Sequence, residues 1–237
     1  MSDGTKMDSR QQEPLNASFA QTPVRILVVD DHPVFRRGLA VVIGEEEGLT
    51  ICGEAEDIAK GIEATRRLKP DLAIIDISLP GANGIELIKM MIAEMPMLPI
   101  LALSMHDETH FAMRAFKAGA KGYIMKSEPS DQIILAIRKV RSGGLHLSPR
   151  LADRLIFRAI QSVDAGMGSP MDTLSDREFE VFRHLGKGLG TREIAGILNV
   201  SGKTVETHRG HIKEKLNCKR GSEVVRFAID WVTHECD

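Results

Sequence analysis

The fold is decided by a short apolar stretch, Asp71-Leu72-Ala73-Ile74-Ile75-Asp76, followed by Ile77-Ser78-Leu79-Pro80. Its four consecutive apolar residues, two of them β-branched, indicate a strand buried on both faces, as in parallel sheets covered by helices. The sequence after this strand predicts a loop, at Pro80, Gly81, Asn83 and Gly84. Ligands of open α/β sheets bind beyond the carboxyl ends of the strands, so we expect Asp76 at a functional rim, outside the strand ladder.

A second buried strand, Val24–Asp30, ends in acid, and Asp31 directly after it completes an acidic pair. Adjacent carboxylates repel each other, and a dry site cannot leave both unpaired. If the two strand ends meet at one edge of the sheet, three carboxylates converge there. Mg²⁺ prefers oxygen ligands and accepts phosphate as a further ligand, so the sequence predicts a magnesium site at Asp30, Asp31 and Asp76.

Strand and helix patterns alternate five times, which predicts an α/β fold with a doubly wound, five-stranded parallel sheet. The predicted strands are Val24–Asp30, Thr50–Ala55, Leu72–Asp76, Pro99–Ser104 and Lys121–Lys126. The first predicted helix begins near Pro33. The other four cover about Ile58–Leu68, Gly84–Met95, Glu108–Lys117 and Pro129–Arg141. Polar groups therefore follow four strands at the same edge: the acidic pair, Asp76, Ser104 and Lys126.

From Thr173 onward the hydrophobic period is helical, which predicts a second, all-α domain of four helices. Ser175 and Glu178 form a capping-box pattern at the start of the first helix. A short helix at Thr191–Leu198, a turn, and a longer cation-bearing helix from Ser201 to about Leu216 predict a helix-turn-helix. A fourth helix follows at about Ser222–His234, and its Val224, Val225, Ala228, Ile229 and Trp231 suit either a dimer contact or packing against the first helix.

The length of 237 residues suits two small domains, and 43% hydrophobic residues support real cores. We divide the chain into a disordered leader (1–22), a first domain (23–143), a linker with a helix near Arg150–Ile160 (144–172) and a second domain (173–237). The net charge of −2 requires any basic surface to be local. Three unpaired cysteines and no apolar run of about 18 residues favour a cytosolic protein without a membrane contact.

The polar residues at the sheet edge suit phosphoryl transfer. Asp76 can attack phosphorus and form an aspartyl phosphate, while Mg²⁺ shields the charge of the nucleophile and the phosphoryl group. Lys126 would pair with one phosphoryl oxygen, and Ser104 would donate a hydrogen bond to another. Tyr123 is near enough to Lys126 in sequence to respond when the phosphoryl group arrives.

These motifs resemble a known family. Residues 24–142 look like a receiver domain (a flavodoxin-like fold) of bacterial two-component systems, through Asp30-Asp31, Asp76-x-x-x-Pro80 with Gly84, Ser104 and Tyr123-x-x-Lys126. Residues 173–237 look like a LuxR-type DNA-binding domain, through Leu174-Ser175-x-Arg177-Glu178-x-Glu180-Val181, Glu193-Ile194-Ala195 and Thr204-Val205-x-x-His208. The combination resembles a NarL/FixJ-family response regulator.

The resemblance implies that Asp76 accepts phosphate from a cognate histidine kinase and that Ser104 and Tyr123 form a switch. It also implies that the backbone carbonyl of Ser78 joins the metal ligands. Chemistry is then limited to self-phosphorylation and self-dephosphorylation at Asp76. We expect the off state to have the receiver over the recognition helix, and the phosphorylated protein to form a homodimer on double-stranded DNA, with RNA polymerase as a further partner in the bacterial cytoplasm.

On the helix that begins after Ser201, the apolar face predicts which side chains enter the major groove. These base-facing candidates are Lys203, Glu206, Thr207, Gly210 and Lys213. Candidates for phosphate contacts are Thr191, Arg192, Lys203, Thr204, Arg209, Lys213 and Lys215. Many members of the resembled family carry lysine where Glu206 stands, so which bases are recognised is open.

Two other functions remain as alternatives: an Asp-nucleophile phosphohydrolase, and a DNA-binding regulator that does not depend on phosphorylation. Ser78 disfavours the hydrolase, because an acid two residues after the nucleophile would be needed to protonate a leaving group. The pair His106-x-x-x-His110 has metal-ligand spacing but lacks a third ligand. His208 and His211 are expected to be structural or to face DNA.

Overall fold

A computed structural model describes residues 22–79, 83–105, 108–149, 151–153, 156 and 170–235. Its first domain is the predicted doubly wound sheet, with five strands in the spatial order β2-β1-β3-β4-β5 and all neighbouring pairs parallel. The strands are β1 (Val24–Val29), β2 (Leu49–Ala55), β3 (Leu72–Asp76), β4 (Ile100–Ser104) and β5 (Gly122–Met125). This order places the ends of β1, β3 and β4 side by side.

Helices cover both faces of the sheet, as the continuous apolar strands require. The five helices are α1 (Pro33–Gly44), α2 (Ile58–Leu68), α3 (Gly84–Glu94), α4 (Glu108–Ala118) and α5 (Ser130–Arg141). One apolar cluster joins α1 and α5 to alternate strand residues such as Ile74, and the other joins α2, α3 and α4 to residues such as Ile75. Successive strand residues therefore bury their side chains in different layers.

The second domain consists of helices α6 (Asp176–Gly186), α7 (Thr191–Ile197), α8 (Gly202–Lys215) and α9 (Gly221–Glu235), after a 3₁₀ turn at Pro170–Thr173. Ser175 and Glu178 form the predicted capping box of α6. Ser201 caps α8, and Asn199 takes a positive φ of 50° in the turn before it. Trp231 of α9 lies edge-on to Phe179 and Phe182, with ring centroids 5.5 and 5.7 Å apart, so much of the apolar face of α9 packs within the domain.

The start of the predicted linker is attached to the first domain. His146 pairs with the edge of β5: its carbonyl accepts from the Tyr123 amide at 3.1 Å, and its own amide donates to the Lys121 carbonyl. Leu151 is buried and belongs to the α2–α4 apolar cluster. Residues 151–153 are helical, and most of the helix expected near Arg150–Ile160 falls outside the described residues.

The two domains contact each other through α3 and α4 on one side and α6 on the other. Arg114 of α4 donates to the carbonyls of Met171 and Leu174 and to Asp176, at 2.7 to 2.9 Å. The rings of Phe111 and Phe179 pack edge to face with centroids 5.5 Å apart. The apolar core is consequently continuous from one domain to the other.

This contact differs from the expectation that the receiver covers the recognition helix. The base-facing candidates Lys203, Glu206 and Thr207 of α8 are exposed to solvent. Charged and aromatic residues of α6 contact the α3–α4 surface, so α6 forms the interface, and the side of α8 that was predicted to face the major groove stays open. No helix in the described part of the chain is both long and apolar enough to cross a membrane.

Candidate functional site

The carboxyl ends of β1, β3 and β5 bring three buried charged groups together. Asp30 and Asp76 are fully buried, and the Lys126 side chain is 3% exposed. Lys126 Nζ lies 2.7 Å from Asp76 Oδ2 and 2.7 Å from Asp30 Oδ2. The neighbouring positions of β1 and β3 in the sheet bring these carboxylates together, as predicted from the two acidic strand ends.

Asp76 differs in one respect from the rim position expected for it. It is the last residue of β3, pairs with Leu103 in the strand ladder, and has no exposed surface. Its Oδ1 accepts a hydrogen bond from the Ser78 amide at 3.0 Å. Burial raises the pKa of Asp76, and the charge and hydrogen bond of Lys126 oppose only part of that shift.

Asp31, which is partly exposed, and His32 complete an acidic cluster with Asp30 and Asp76. One ligand atom from each of these four residues lies within 4.8 Å of the others. His32 Nδ1 is 2.7 Å from Asp31 Oδ1, while the His32 amide donates to Asp30 Oδ1 at 2.8 Å. Sequence reasoning missed His32, although its position directly after the acidic pair could have indicated it.

The donor set of this cluster fits a hard divalent cation. Three carboxylates face one lysine, so two of their charges are left uncompensated when His32 is neutral. Buried carboxylates require compensation of this kind, and oxygen-rich sites suit Mg²⁺. Ser78, the fourth predicted ligand, is partly buried and lies two residues beyond Asp76.

The other predicted residues of the sheet edge lie nearby. Ser104 ends β4 without exposed surface, and its carbonyl accepts from the Lys126 amide at 2.8 Å. Tyr123 is 1% exposed, so its ring belongs to the interior of the first domain. The Lys126 ammonium also lies 4.8 Å from the Phe35 ring centroid, a contact that sequence reasoning did not predict.

The second domain lies against this site. A cavity of about 140 Å³ has Asp31, Ser78 and Leu79 on one side and residues of α6 and α7 on the other. Beside it, Asn83 donates to Glu180 Oε1 at 3.0 Å, and Arg177 pairs with Glu180 Oε2 at 2.7 Å. Burial raises the pKa of Glu180 in spite of Arg177. Asn83, directly before α3, is thereby tied to the second domain, which no local pattern in the sequence indicated.

The predicted DNA-contact residues divide into two groups. The exposed group consists of Arg192, Lys203, Glu206, Thr207 and Lys215. The partly buried group consists of Thr191, Thr204, Arg209, Gly210 and Lys213. Lys215 donates to Glu178 Oε2 at 2.6 Å, so in this structure it is engaged within the domain. It is therefore a less direct candidate for a phosphate contact than the exposed cations.

A polar network joins α7 to the side of α8 that was predicted to face the major groove. Thr191 Oγ1 donates to Glu206 Oε1 at 2.6 Å, and Arg209 Nη1 lies 3.1 Å from the same oxygen. Arg209 also donates to Thr191 at 2.8 Å. This network offsets the negative charge of Glu206, the position at which many members of the resembled family carry lysine. The pair His106 and His110, whose spacing suits metal ligands, cannot be placed: His106 and the side-chain contacts of His110 lie outside the described residues.

Two family models match the chain. Residues 26–138 match the response regulator receiver domain, and residues 172–228 match the bacterial regulatory proteins of the luxR family. Together these segments hold the acidic cluster, Lys126 and the helix-turn-helix.

Curated relatives match over nearly their whole length. The oxygen regulatory protein NreC of Staphylococcus carnosus is 33% identical over 210 residues, covering 87% of this chain and 97% of the relative. NreC of Staphylococcus epidermidis is 34% identical over 214 residues with the same coverage.

Solved structures are similar as well. A LuxR-family two-component response regulator from Aurantimonas sp. SI85-9A1 has a TM-score of 0.55 and 33% identity, covering 58% of this chain and 99% of that one. RcsB of Salmonella enterica serovar Typhimurium, bound to promoter rprA in the presence of the phosphomimetic BeF₃⁻, has a TM-score of 0.56 and 25% identity. That likeness covers 87% of this chain and 98% of RcsB.

Proposed function

Because the chain belongs to the NarL/FixJ-type response regulators, which regulate transcription, we propose that a histidine kinase phosphorylates Asp76 and thereby controls binding to DNA. The observation that carries this proposal is the pairing of Lys126 with both Asp76 and Asp30, at 2.7 Å each, at the ends of neighbouring strands. An ammonium in this position can pair with a phosphoryl oxygen once Asp76 carries one.

In the transfer step, a carboxylate oxygen of Asp76 attacks phosphorus, and the bond between phosphorus and the kinase imidazole nitrogen breaks. The imidazole leaves with the bonding electron pair. Lys126 turns from the carboxylate to the transferred group, and the Ser104 hydroxyl donates to another phosphoryl oxygen. The protein contributes position and charge, which is most of what phosphoryl transfer requires. Hydrolysis of the aspartyl phosphate at the same site completes the self-limited chemistry that we propose.

Asp30, Asp31 and Asp76, together with the Ser78 carbonyl, would hold Mg²⁺. When bound, the ion supplies positive charge that offsets the charge of the nucleophile and of the incoming phosphate. Asp30 and Asp76 are fully buried, so their charges are costly without such compensation.

We propose that Ser104 and Tyr123 transmit the modification to α4. Ser104 would move toward the phosphoryl group, and Tyr123 would follow into the space that it leaves. Arg114 and Phe111 of α4 contact the second domain, so a shift of this helix would loosen the domain interface. The equilibrium between joined and separated domains would then depend on phosphorylation.

The separated form would bind double-stranded DNA through α8 and the start of α7. Lys203, Glu206 and Thr207 are exposed on α8, with Arg192 on α7, in the arrangement that a helix-turn-helix presents to the major groove. We further propose a homodimer on the DNA in the bacterial cytoplasm, with RNA polymerase as its target. Ile229 of α9 is 42% exposed and is available for the dimer contact.

The test measures phosphorylation and DNA retention together. The full-length protein is treated with a small-molecule phosphoryl donor and Mg²⁺, and retention on promoter DNA is measured at stated salt concentration. We expect the donor to add one phosphate to the wild type and to raise its retention, and to do neither for Asp76→Asn. Asp131→Asn, a change of an exposed acid in the first turn of α5, is the matched control and should behave as wild type.

Equal retention of wild type and Asp76→Asn with and without donor would overturn phosphorylation control and favour a phosphorylation-independent regulator. Turnover of a phosphomonoester that is lost in Asp76→Asn would instead favour the phosphohydrolase.

A further inference from the structure

A second cluster of metal-ligating side chains lies in the DNA-binding domain, away from the acidic pocket. Glu178 in the first turn of α6 meets His208 and His211 of α8, and one ligand atom from each lies within 4.8 Å of the others. Residues three apart on a helix share a side, which explains why both histidines face Glu178. In the sequence these two histidines were expected to be structural or to face DNA, and the third member of the cluster, Glu178, comes from a different helix.

The separation of Glu178 and His211 suits two ligands of a tetrahedral ion better than a hydrogen bond. Zinc binds imidazole nitrogen and carboxylate oxygen at about 2.0–2.2 Å, which places two ligands of a tetrahedral site about 3.4 Å apart. His211 Nδ1 lies 3.5 Å from Glu178 Oε1, beyond the usual 2.7–3.2 Å range of an N–H···O bond. The separation of these two atoms matches that ligand spacing, and the third ligand atom, on His208, lies within 4.8 Å of both.

The neighbouring bonds leave the required atoms available. The other oxygen of Glu178, Oε2, already accepts from the Ser175 amide at 2.7 Å and from Lys215 at 2.6 Å. Oε1 can therefore bind a cation while the helix cap stays intact. His208 Nδ1 is buried and makes no hydrogen bond within the described part of the chain, so an imidazole nitrogen here is open to a ligand.

We propose that Glu178, His208 and His211 form a Zn²⁺ site that joins α6 to the recognition helix α8. Two imidazoles and one carboxylate are a typical three-residue zinc set, with water in the fourth position, whereas Mg²⁺ prefers sites made of oxygen alone. The His211 side chain is 55% exposed, so the ion can enter from solvent. Because Zn²⁺ would bind the folded domain and not the unfolded chain, it would stabilise the domain and hold α8 in its observed orientation.

The experiment is a Zn²⁺ titration of the untagged full-length protein against a chromophoric chelator. Excess Mg²⁺ is present throughout, because the Asp30–Asp31–His32–Asp76 cluster could also take up zinc. We expect one zinc equivalent to bind to wild type and to Asp31→Asn. In His211→Ala, a change at an exposed position, we expect binding at least tenfold weaker. Glu214→Ala, which removes another exposed acid of α8 outside the cluster, is the matched control and should bind as wild type.

A second measurement reports the ligands directly. Co²⁺ in place of Zn²⁺ should give visible absorption typical of low coordination number in wild type and Asp31→Asn, and this band should be lost in His211→Ala. Zinc binding that survives in His211→Ala, or that disappears in Asp31→Asn, would overturn the proposed site. Neither result bears on Asp76 phosphorylation, which is tested separately.

Discussion

At the scale of single residues, the molecule depends on ionisable groups that are buried beside specific partners. Asp76 is held by Lys126 and the Ser78 amide, and Glu180 is held by Arg177 and Asn83. Burial raises the pKa of both acids, because the low-dielectric surroundings disfavour the charged form more than the partners favour it. Asn83 thereby joins the first domain to Glu180 of the second domain by a direct side-chain hydrogen bond.

His184 predicts a pH dependence of stability. Burial, together with the nearby charges of Lys187, Arg183 and Arg177, lowers the pKa of His184 from 6.5 to about 4. Between these values the unfolded chain binds a proton that the folded chain does not, so stability falls as the pH drops from about 6.5 to about 4. We expect His184→Gln to reduce this acid-induced fall in the unfolding free energy by about 1 kcal/mol. This value allows for solvent screening of the partly exposed ring.

The measurement for His184 is urea unfolding at several pH values between 4 and 7, in wild type and variant. The difference in unfolding free energy between the two proteins should change steadily across this interval. An identical pH slope in both proteins would show that His184 titrates normally in the folded state.

At the scale of elements, the start of α3 lies directly against the end of β3. A Cβ placed on Gly84 would lie 1.9 Å from the Asp76 carbonyl oxygen, a distance that no side chain tolerates. The Gly84 amide also donates to the Ile77 carbonyl at 2.9 Å. The helix therefore begins in direct backbone contact with the end of β3, and this contact fixes the start of α3 against Asp76 and Ile77.

We predict opposite effects for two glycine substitutions. Gly84→Ala should destabilise the protein by about 2–4 kcal/mol, because backbone must move to admit the new methyl group. Gly38→Ala is the matched control: Gly38 lies inside α1, exposed, with nothing within 4 Å of an added Cβ. It should stabilise by about 0.5–1 kcal/mol through higher helix propensity. Urea midpoints shifting in the same direction would contradict this account of Gly84.

At the scale of the whole molecule, a small set of contacts joins the two domains. Arg114 contributes several of those in the described part of the chain: it binds two carbonyls and Asp176, and its guanidinium carbon lies 4.4 Å from the Phe179 ring centroid. Lys89 of α3 adds a second ion pair to Asp176 at 2.8 Å. Since Arg114 is largely buried in this interface, its contacts are not weakened by solvent as surface ion pairs are.

We predict that Arg114→Ala separates the domains. Hydrogen bonds to charged groups contribute about 1.5–3 kcal/mol each, and this substitution removes such bonds to three acceptors. Small-angle scattering of the unphosphorylated protein should give a larger radius of gyration than wild type. Arg67→Ala, at an exposed position on α2, should scatter as wild type. An unchanged radius for Arg114→Ala would mean that other contacts hold the domains together.

Local patterns in the sequence were enough to predict both folds. Buried strands of four or five apolar residues, the capping box at Ser175 and Glu178, and the cap at Ser201 depend on neighbours a few positions apart, and all appear in the structure. The convergence of Asp30, Asp76 and Lys126 was also predictable, because parallel strands place their carboxyl ends at one edge. The roles proposed for these residues follow from that geometry and remain predictions.

Only the tertiary structure could decide which distant surfaces meet. The contact of Arg114 with Asp176 joins positions 62 residues apart, and the group formed by Glu178, His208 and His211 depends on how α6 crosses α8. Neither arrangement leaves a periodic signal, because one exposed charge or histidine on a helix looks the same in sequence whether it faces water or another helix. Sequence by itself determined the elements and the edge at which the chemistry lies; packing between elements decided how that edge is joined to the DNA-binding helices.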